Sequence, residues 1–156
     1  KLKGEVETQK ILKEHFIIRT SWLYSEHGNN FMKTMLRLAE THDEISVVSD
    51  QIGTPTYAGD LAQVILKIIN SNNKSFGLYH YSNEGVASWY DFAKAIFEES
   101  NIEIKINPIK TDAYPTPAKR PFFSVMDKAK IKSDLNIKTP HWRESINNSI
   151  NYLSED

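Results

Sequence analysis

Cysteine is absent from the 156-residue chain. Disulfides, thiolate nucleophiles and cysteine-ligated metals are therefore excluded. No apolar run approaches the ~18 residues of a membrane span, and no signal-peptide pattern opens the chain, so no membrane partner and a cytoplasmic location are expected. An excess of one charge is also missing. Lys and Arg number 19 against 20 Asp and Glu, a net charge of −1, so no global field draws the chain to nucleic acid. Glycine is scarce. The six stand at positions 4, 28, 53, 59, 77 and 85, and no two lie two or three apart, which rules out a Gly-x-Gly-x-x-Gly dinucleotide loop within these residues. No pair is spaced for a P-loop either. The five histidines (15, 27, 42, 80 and 141) contain no i, i+4 pair, so the helical zinc site is missing and no metal is expected. A Gly-x-Ser-x-Gly elbow does not occur. Asn73-Lys74-Ser75 and Asn147-Asn148-Ser149 match the glycosylation triplet and read as chance without a signal peptide. Methionine stands only at 32, 35 and 126, and the first residue is Lys1, so a piece of a longer chain is expected.

What is present is globular. Apolar residues make up 40% and charged residues 25%, which suits one packed core and not a disordered tract. Residues 1–14 carry apolar positions at roughly helical spacing and read as the latter part of a helix. Residues 15–20 (His-Phe-Ile-Ile-Arg-Thr) are a β-branched and aromatic run, hence a strand. After a polar turn, Phe31, Met32, Met35, Leu36 and Ala39 mark one helix face. Residues 45–48 read as a strand, and residues 50–56 as a loop, because Gly53 and Pro55 break both regular structures. A helix over about 58–70 is expected to turn Leu61, Ile65, Ile68 and Ile69 inward. Residues 78–81 form a further strand. Ser88, with Asp91 three residues on, caps a helix whose Trp89 and Phe92 read as core. Residues 101–121, with four of the six prolines, read as irregular, and two helices close the chain at 127–135 and 141–153. Strands alternating with helices define an α/β class.

Six strings carry a resemblance. They are Lys1-Leu2-Lys3-Gly4-Glu5, Arg19-Thr20-Ser21-Trp22-Leu23-Tyr24, Gly28-Asn29-Asn30-Phe31, the run from Asp50 to Thr56, Ser88-Trp89-Tyr90-Asp91-Phe92-Ala93, and the run from Tyr114 to Pro121. In this order and spacing the chain resembles the C-terminal half of the dTDP-4-dehydrorhamnose reductases, a family of extended short-chain dehydrogenases/reductases. The resemblance runs from Lys1 to about Trp142. It implies the C-terminal part of a Rossmann-like doubly wound fold plus a small substrate-binding region over residues 1–156. The dinucleotide-binding part would lie upstream. It also implies reduction at C4 of dTDP-4-dehydro-L-rhamnose to dTDP-L-rhamnose with NADPH or NADH, a dTDP-sugar as partner, and a possible homodimer. The isolated chain is expected to be inactive.

The same resemblance assigns residues. Lys1 looks like the lysine of the family's Tyr-x-x-x-Lys pair, whose tyrosine would lie four residues upstream. Residues four apart share a helix face, and an ammonium beside a phenol lowers its pKa so that it can protonate the carbonyl oxygen. This lysine also meets the cofactor ribose in the superfamily; without the resemblance it reads as a surface lysine. Trp22 is placed against the deoxysugar, an indole face on the apolar side of the ring, with a core tryptophan as the alternative. Asn30 and Phe31 open a helix whose N–H donors and dipole suit a diphosphate; a plain cap and a core residue are the alternatives. Gln51, Pro55 and Thr56 would shape the pocket, or Gly53 and Pro55 merely make a turn. Arg120 is the candidate diphosphate clamp, since guanidinium binds phosphate oxygens in pairs. Two other functions stay open at this point: a non-catalytic reductase-like subunit, and another nucleotide-sugar epimerase or dehydratase of the extended family.

Overall fold

The computed structural model describes residues 1–153. Its elements run α1 (Leu2–Ile11), β1 (Phe16–Arg19), β2 (Leu23–Tyr24), α2 (Phe31–Ala39), β3 (Glu44–Val48), β4 (Ile52–Gly53), β5 (Thr56–Tyr57), α3 (Ala58–Asn70), β6 (Gly77–His80), β7 (Ala87–Ser88), α4 (Trp89–Glu99), β8 (Lys105–Ile109), a 3₁₀ turn (Thr111–Ala113), α5 (Ala129–Leu135) and α6 (Trp142–Leu153). The strands pair as β1 with β6 and β3 with β8, both parallel, with shorter pairs β2–β5 (parallel) and β4–β7 (antiparallel). Parallel pairs need long crossovers, and here helices supply them, so the α/β class holds.

Local chemistry starts the helices where the side chains dictate. Ser88 Oγ accepts from the Asp91 amide at 3.0 Å while Asp91 Oδ2 accepts from the Ser88 amide at 2.9 Å, a closed capping box. Asn30 caps α2 by accepting from the Lys33 amide. Two apolar clusters follow. Tyr24, Met32, Val47, Phe92, Ile96, Trp142 and Ile146 are among the residues that α2, β3, α4 and α6 bury together. Val64, Ile68, Tyr79, Ile131 and Leu135 form a second cluster under α3, β6 and α5. Asn83 ties them: its Oδ1 accepts from the Tyr57 amide, and its Nδ2 donates to Asp60 and to Ser145.

Three expectations are corrected. In α3 the inward residues are Val64 and Ile68, while Ile65 and Ile69 are 39% and 69% exposed. The helix has a broad apolar arc, and periodicity alone does not choose which part of it faces the core. Residues 50–56 are not wholly loop, because β4 and β5 each pair briefly across them. Residues 101–121 hold β8, which runs through Pro108. Proline is tolerated there because β8 is an edge strand bonded only to β3, with Val47 opposite Pro108.

Helix α1 stands apart. It has no buried residue, and Leu2, Ile11 and Leu12 lie exposed. Its side-chain tie to the body is the pair Glu5–Arg19, with Arg19 Nη2 and Nε at 2.6 and 3.0 Å from Oε2. Glu5 lies four residues after Lys1, and Arg19 lies three before Trp22, so this ion pair joins two of the sequence strings.

Candidate functional site

In parallel α/β folds the carboxyl ends of the strands face the ligand crevice. Three candidate segments issue from such ends: Trp22 follows β1, Asp50 and Gln51 follow β3, and Thr111 follows β8. Trp22 adopts φ +47°, a left-handed backbone that costs a bulky residue about 1–3 kcal/mol unless its surroundings enforce it. The surroundings do. The Trp22 carbonyl accepts from the Thr56 amide at 3.1 Å, and the Ser21 hydroxyl donates to the Thr54 carbonyl at 3.3 Å.

The Trp22 ring lies parallel to Trp89, with centroids 3.6 Å apart and planes 6° from coplanar. Phe31 leans on Trp89 at 4.7 Å and stacks on Phe92 at 5.4 Å. Trp89 Nε1 donates to Gln51 Oε1 at 3.2 Å, and Gln51 Nε2 donates to Thr111 Oγ1 at 3.2 Å. The Thr111 hydroxyl and amide both donate to Asp50 Oδ1. Those bonds, the hydroxyl's first, hold the Asp50 carboxyl below its ordinary pKa.

The structure brings Trp22, Phe31 and Gln51 together, and adds Trp89, Gly53, Thr111 and Asp50. Trp89, expected in the core, packs against it but stays half-buried, because as the first residue after the Ser88 cap it reaches Gln51. Asn30 is near but committed: its amide accepts from Lys33 and donates to the carbonyls of Ser25 and His27. Pro55 and Thr56 are fully buried, so they support the turn from within and present no surface. Lys1 and Arg120 are exposed, and neither side chain makes a hydrogen bond or ion pair among the described residues. Arg120 rides on a segment tied at both ends to this region, by Thr111 to Asp50 and by the Phe122 carbonyl and Ser124 amide to Ile52.

Burial pushes the Tyr24, Tyr57, Tyr79 and Tyr81 hydroxyls up, away from the range a proton-donating phenol needs near neutrality. Among the described residues no cluster of three or more metal-ligating side chains occurs, and no helix is long and apolar enough to cross a membrane. A surface cleft lined by His42, Lys94, Glu103 and Lys105 among others opens at the amino ends of β3 and β8 and shares no residue with this site.

Trp22, Phe31 and Trp89 thus form an aromatic cluster beside the carboxyl ends of β1 and β3, the candidate ligand-binding region of an α/β fold. The chain belongs to the RmlD substrate binding domain family, whose model matches residues 1–155. It is 45% identical to the spore coat polysaccharide biosynthesis protein SpsK of Bacillus subtilis over 97% of this chain and 51% of that protein. It is 43% identical to a dTDP-4-dehydrorhamnose reductase of Aggregatibacter actinomycetemcomitans, over 95% of this chain and 54% of that protein. The crystal structure of dTDP-4-dehydrorhamnose reductase from Bacillus anthracis in complex with NADP superimposes with a TM-score of 0.91 at 39% identity, over 97% of this chain and 52% of that one. The chain thus spans about half the length of the relatives it matches.

Proposed function

We propose that this chain is the substrate-binding, C-terminal half of a dTDP-4-dehydrorhamnose reductase, which reduces C4 of dTDP-4-dehydro-L-rhamnose to give dTDP-L-rhamnose. The observation that carries the reading is that the family match covers 1–155, and the positions of Trp22 after β1 and Gln51 after β3 support it. The exposed apolar residues of α1 and α3 suit faces that a dinucleotide-binding half would cover.

The relative from Bacillus anthracis binds NADP, and the fit to this chain is confined to Lys1. Its side chain is exposed and makes no hydrogen bond or ion pair among the described residues, which leaves the ammonium donors for a cofactor ribose. A bound NADPH or NADH supplies the hydride. Lys1 holds positive charge beside an upstream tyrosine, lowering that phenol's pKa so that its proton passes to the C4 oxygen. Arg120 swings onto the diphosphate, where two parallel N–H donors match phosphate oxygens. Trp22 borders the 6-deoxy sugar and sets where C4 lies. The reading takes in a cytoplasmic location, and a homodimer that rests on the resemblance.

The test joins this chain to its upstream half and follows NADPH oxidation with dTDP-4-dehydro-L-rhamnose. Formation of dTDP-L-rhamnose is expected. Conversion to an isomer without NADPH loss would make the protein an epimerase, and tight sugar binding without any conversion would make it a binding subunit.

A further inference from the structure

Both faces of the Trp22 indole are covered. Trp89 covers one at 3.6 Å. Gly53 covers the other: a methyl group on it would lie 2.7 Å from Cζ2 and Nε1 and nearer still to Cε2. Cε2 lies nearer than the rim atoms Nε1 and Cζ2 that flank it, so this approach is through the face and not the rim. A pyranose would therefore find one indole face taken by Trp89 and the other obstructed at the ring fusion by Gly53, so what Trp22 offers unobstructed is its edge.

Trp89 is itself held. An indole N–H only donates and a carboxylate only accepts, so the chain Trp89 to Gln51 to Thr111 to Asp50 has one consistent direction, and it fixes which way the Gln51 amide points. The left-handed backbone at Trp22 adds an independent sign that this side chain is being aimed. Resting on the reductase reading, we propose that Trp89, held by Gln51, is a positioning residue that keeps Trp22 edge-on to the sugar, and that Gln51 acts through Trp89 and not on the ligand. Trp89 touches Trp22 and Phe31; its task is to stop the indole from swinging when the sugar arrives.

Two measurements on the full-length protein decide this. Parallel indoles in contact give a coupled band in circular dichroism, which either Trp22→Phe or Trp89→Phe should remove. The band should survive saturation with dTDP-L-rhamnose; its loss on binding would mean that Trp89 leaves to open a face, and would overturn the proposal. In steady-state kinetics, Trp89→Ala should lower kcat about ten- to a hundredfold, as small misplacements of a reacting carbon do, with KM moving less. Trp89→Phe, which keeps a flat partner, should recover most of that loss, and Gln51→Ala should shift kcat in the same direction by less. A rise in KM alone would make Trp89 a direct substrate contact, and wild-type kinetics in Trp89→Ala would remove its role. If Trp89→Ala does not fold, Trp89→Phe and Gln51→Ala carry the kinetic test. A wild-type protein with no turnover would sink the reductase reading instead, and the band with and without bound nucleotide sugar would still test the stack.

Discussion

The residues of the candidate site fall into two groups that differ in what they already hold. Trp22, Phe31, Gln51 and Trp89 are engaged with one another, and the side-chain polar atoms of Gln51 and Trp89 bond within the protein. The Lys1 and Arg120 side chains hold no hydrogen-bond or ion-pair partner among the described residues. A group whose hydrogen bonds are made inside the fold can shape a ligand's surroundings but has less to give the ligand itself. A solvated charge is the reverse: it adds little to stability and keeps its donors for a partner. Substitutions should therefore separate cleanly, the free group altering kinetics alone and the packed group altering kinetics and stability together.

The largest effect is expected at Lys1. In the chain joined to its upstream half, Lys1→Met should lower kcat by about a hundredfold or more, the scale of a lost proton-transfer arrangement, with an unchanged melting temperature. Full kcat in that variant would remove Lys1 from the chemistry. Arg120→Ala comes next. The diphosphate is bound alike in ground and transition states, so KM should rise while kcat holds. Loss of a charged hydrogen-bond partner is worth roughly 1.5–3 kcal/mol, about ten- to a hundredfold in KM. A fall in melting temperature instead would place Arg120 among the packed residues.

Gly53→Ala probes the packed group. The added methyl cannot fit against the Trp22 ring, so overpacking should destabilise the fold by about 1–3 kcal/mol, and displacement of the indole should lower kcat as well. Thermal melts read the first effect and turnover the second; a silent substitution would show that Trp22 moves freely. The smallest effect concerns acid. The Thr111 bonds hold Asp50 below its ordinary pKa, so its contribution is present above the unfolded value of about 3.9 and is lost as pH falls through the lower folded value. The coupled indole band should thus be constant from neutrality down to about pH 4 and weaken only below that. Loss of the band near pH 6 would mean that another group holds Trp89.

Much of the frame was legible because it rests on local chemistry. Ser88 and Asp91 announce their capping box, and the β-branched run at 16–19 announces β1. Strand β8 escapes the sequence reading because the prolines of residues 101–121 outweigh a plain signal, the alternation Ile102, Ile104, Ile106 with Glu103 and Lys105 between. The arc of α3 that faces inward depends on what packs against it, and no periodicity states that. At the site, the strings named Trp22, Phe31 and Gln51, but their arrangement comes from contacts across long stretches of chain. Trp89 lies 67 positions beyond Trp22, and the first-turn position of Trp89 is the one hint that it would reach the rim. The indole expected to lay a face on the sugar carries Trp89 on one face and Gly53 against the other, which only the three-dimensional packing reveals.

The central claim is that Trp22 sets where the sugar carbon lies, and kinetics of Trp22→Ala in the protein joined to its upstream half test it most directly. The account predicts a fall in kcat of about a hundredfold on dTDP-4-dehydro-L-rhamnose, larger than any rise in KM. A variant with wild-type kcat and KM but a lowered melting temperature would show that Trp22 only fills the core, and would contradict the account.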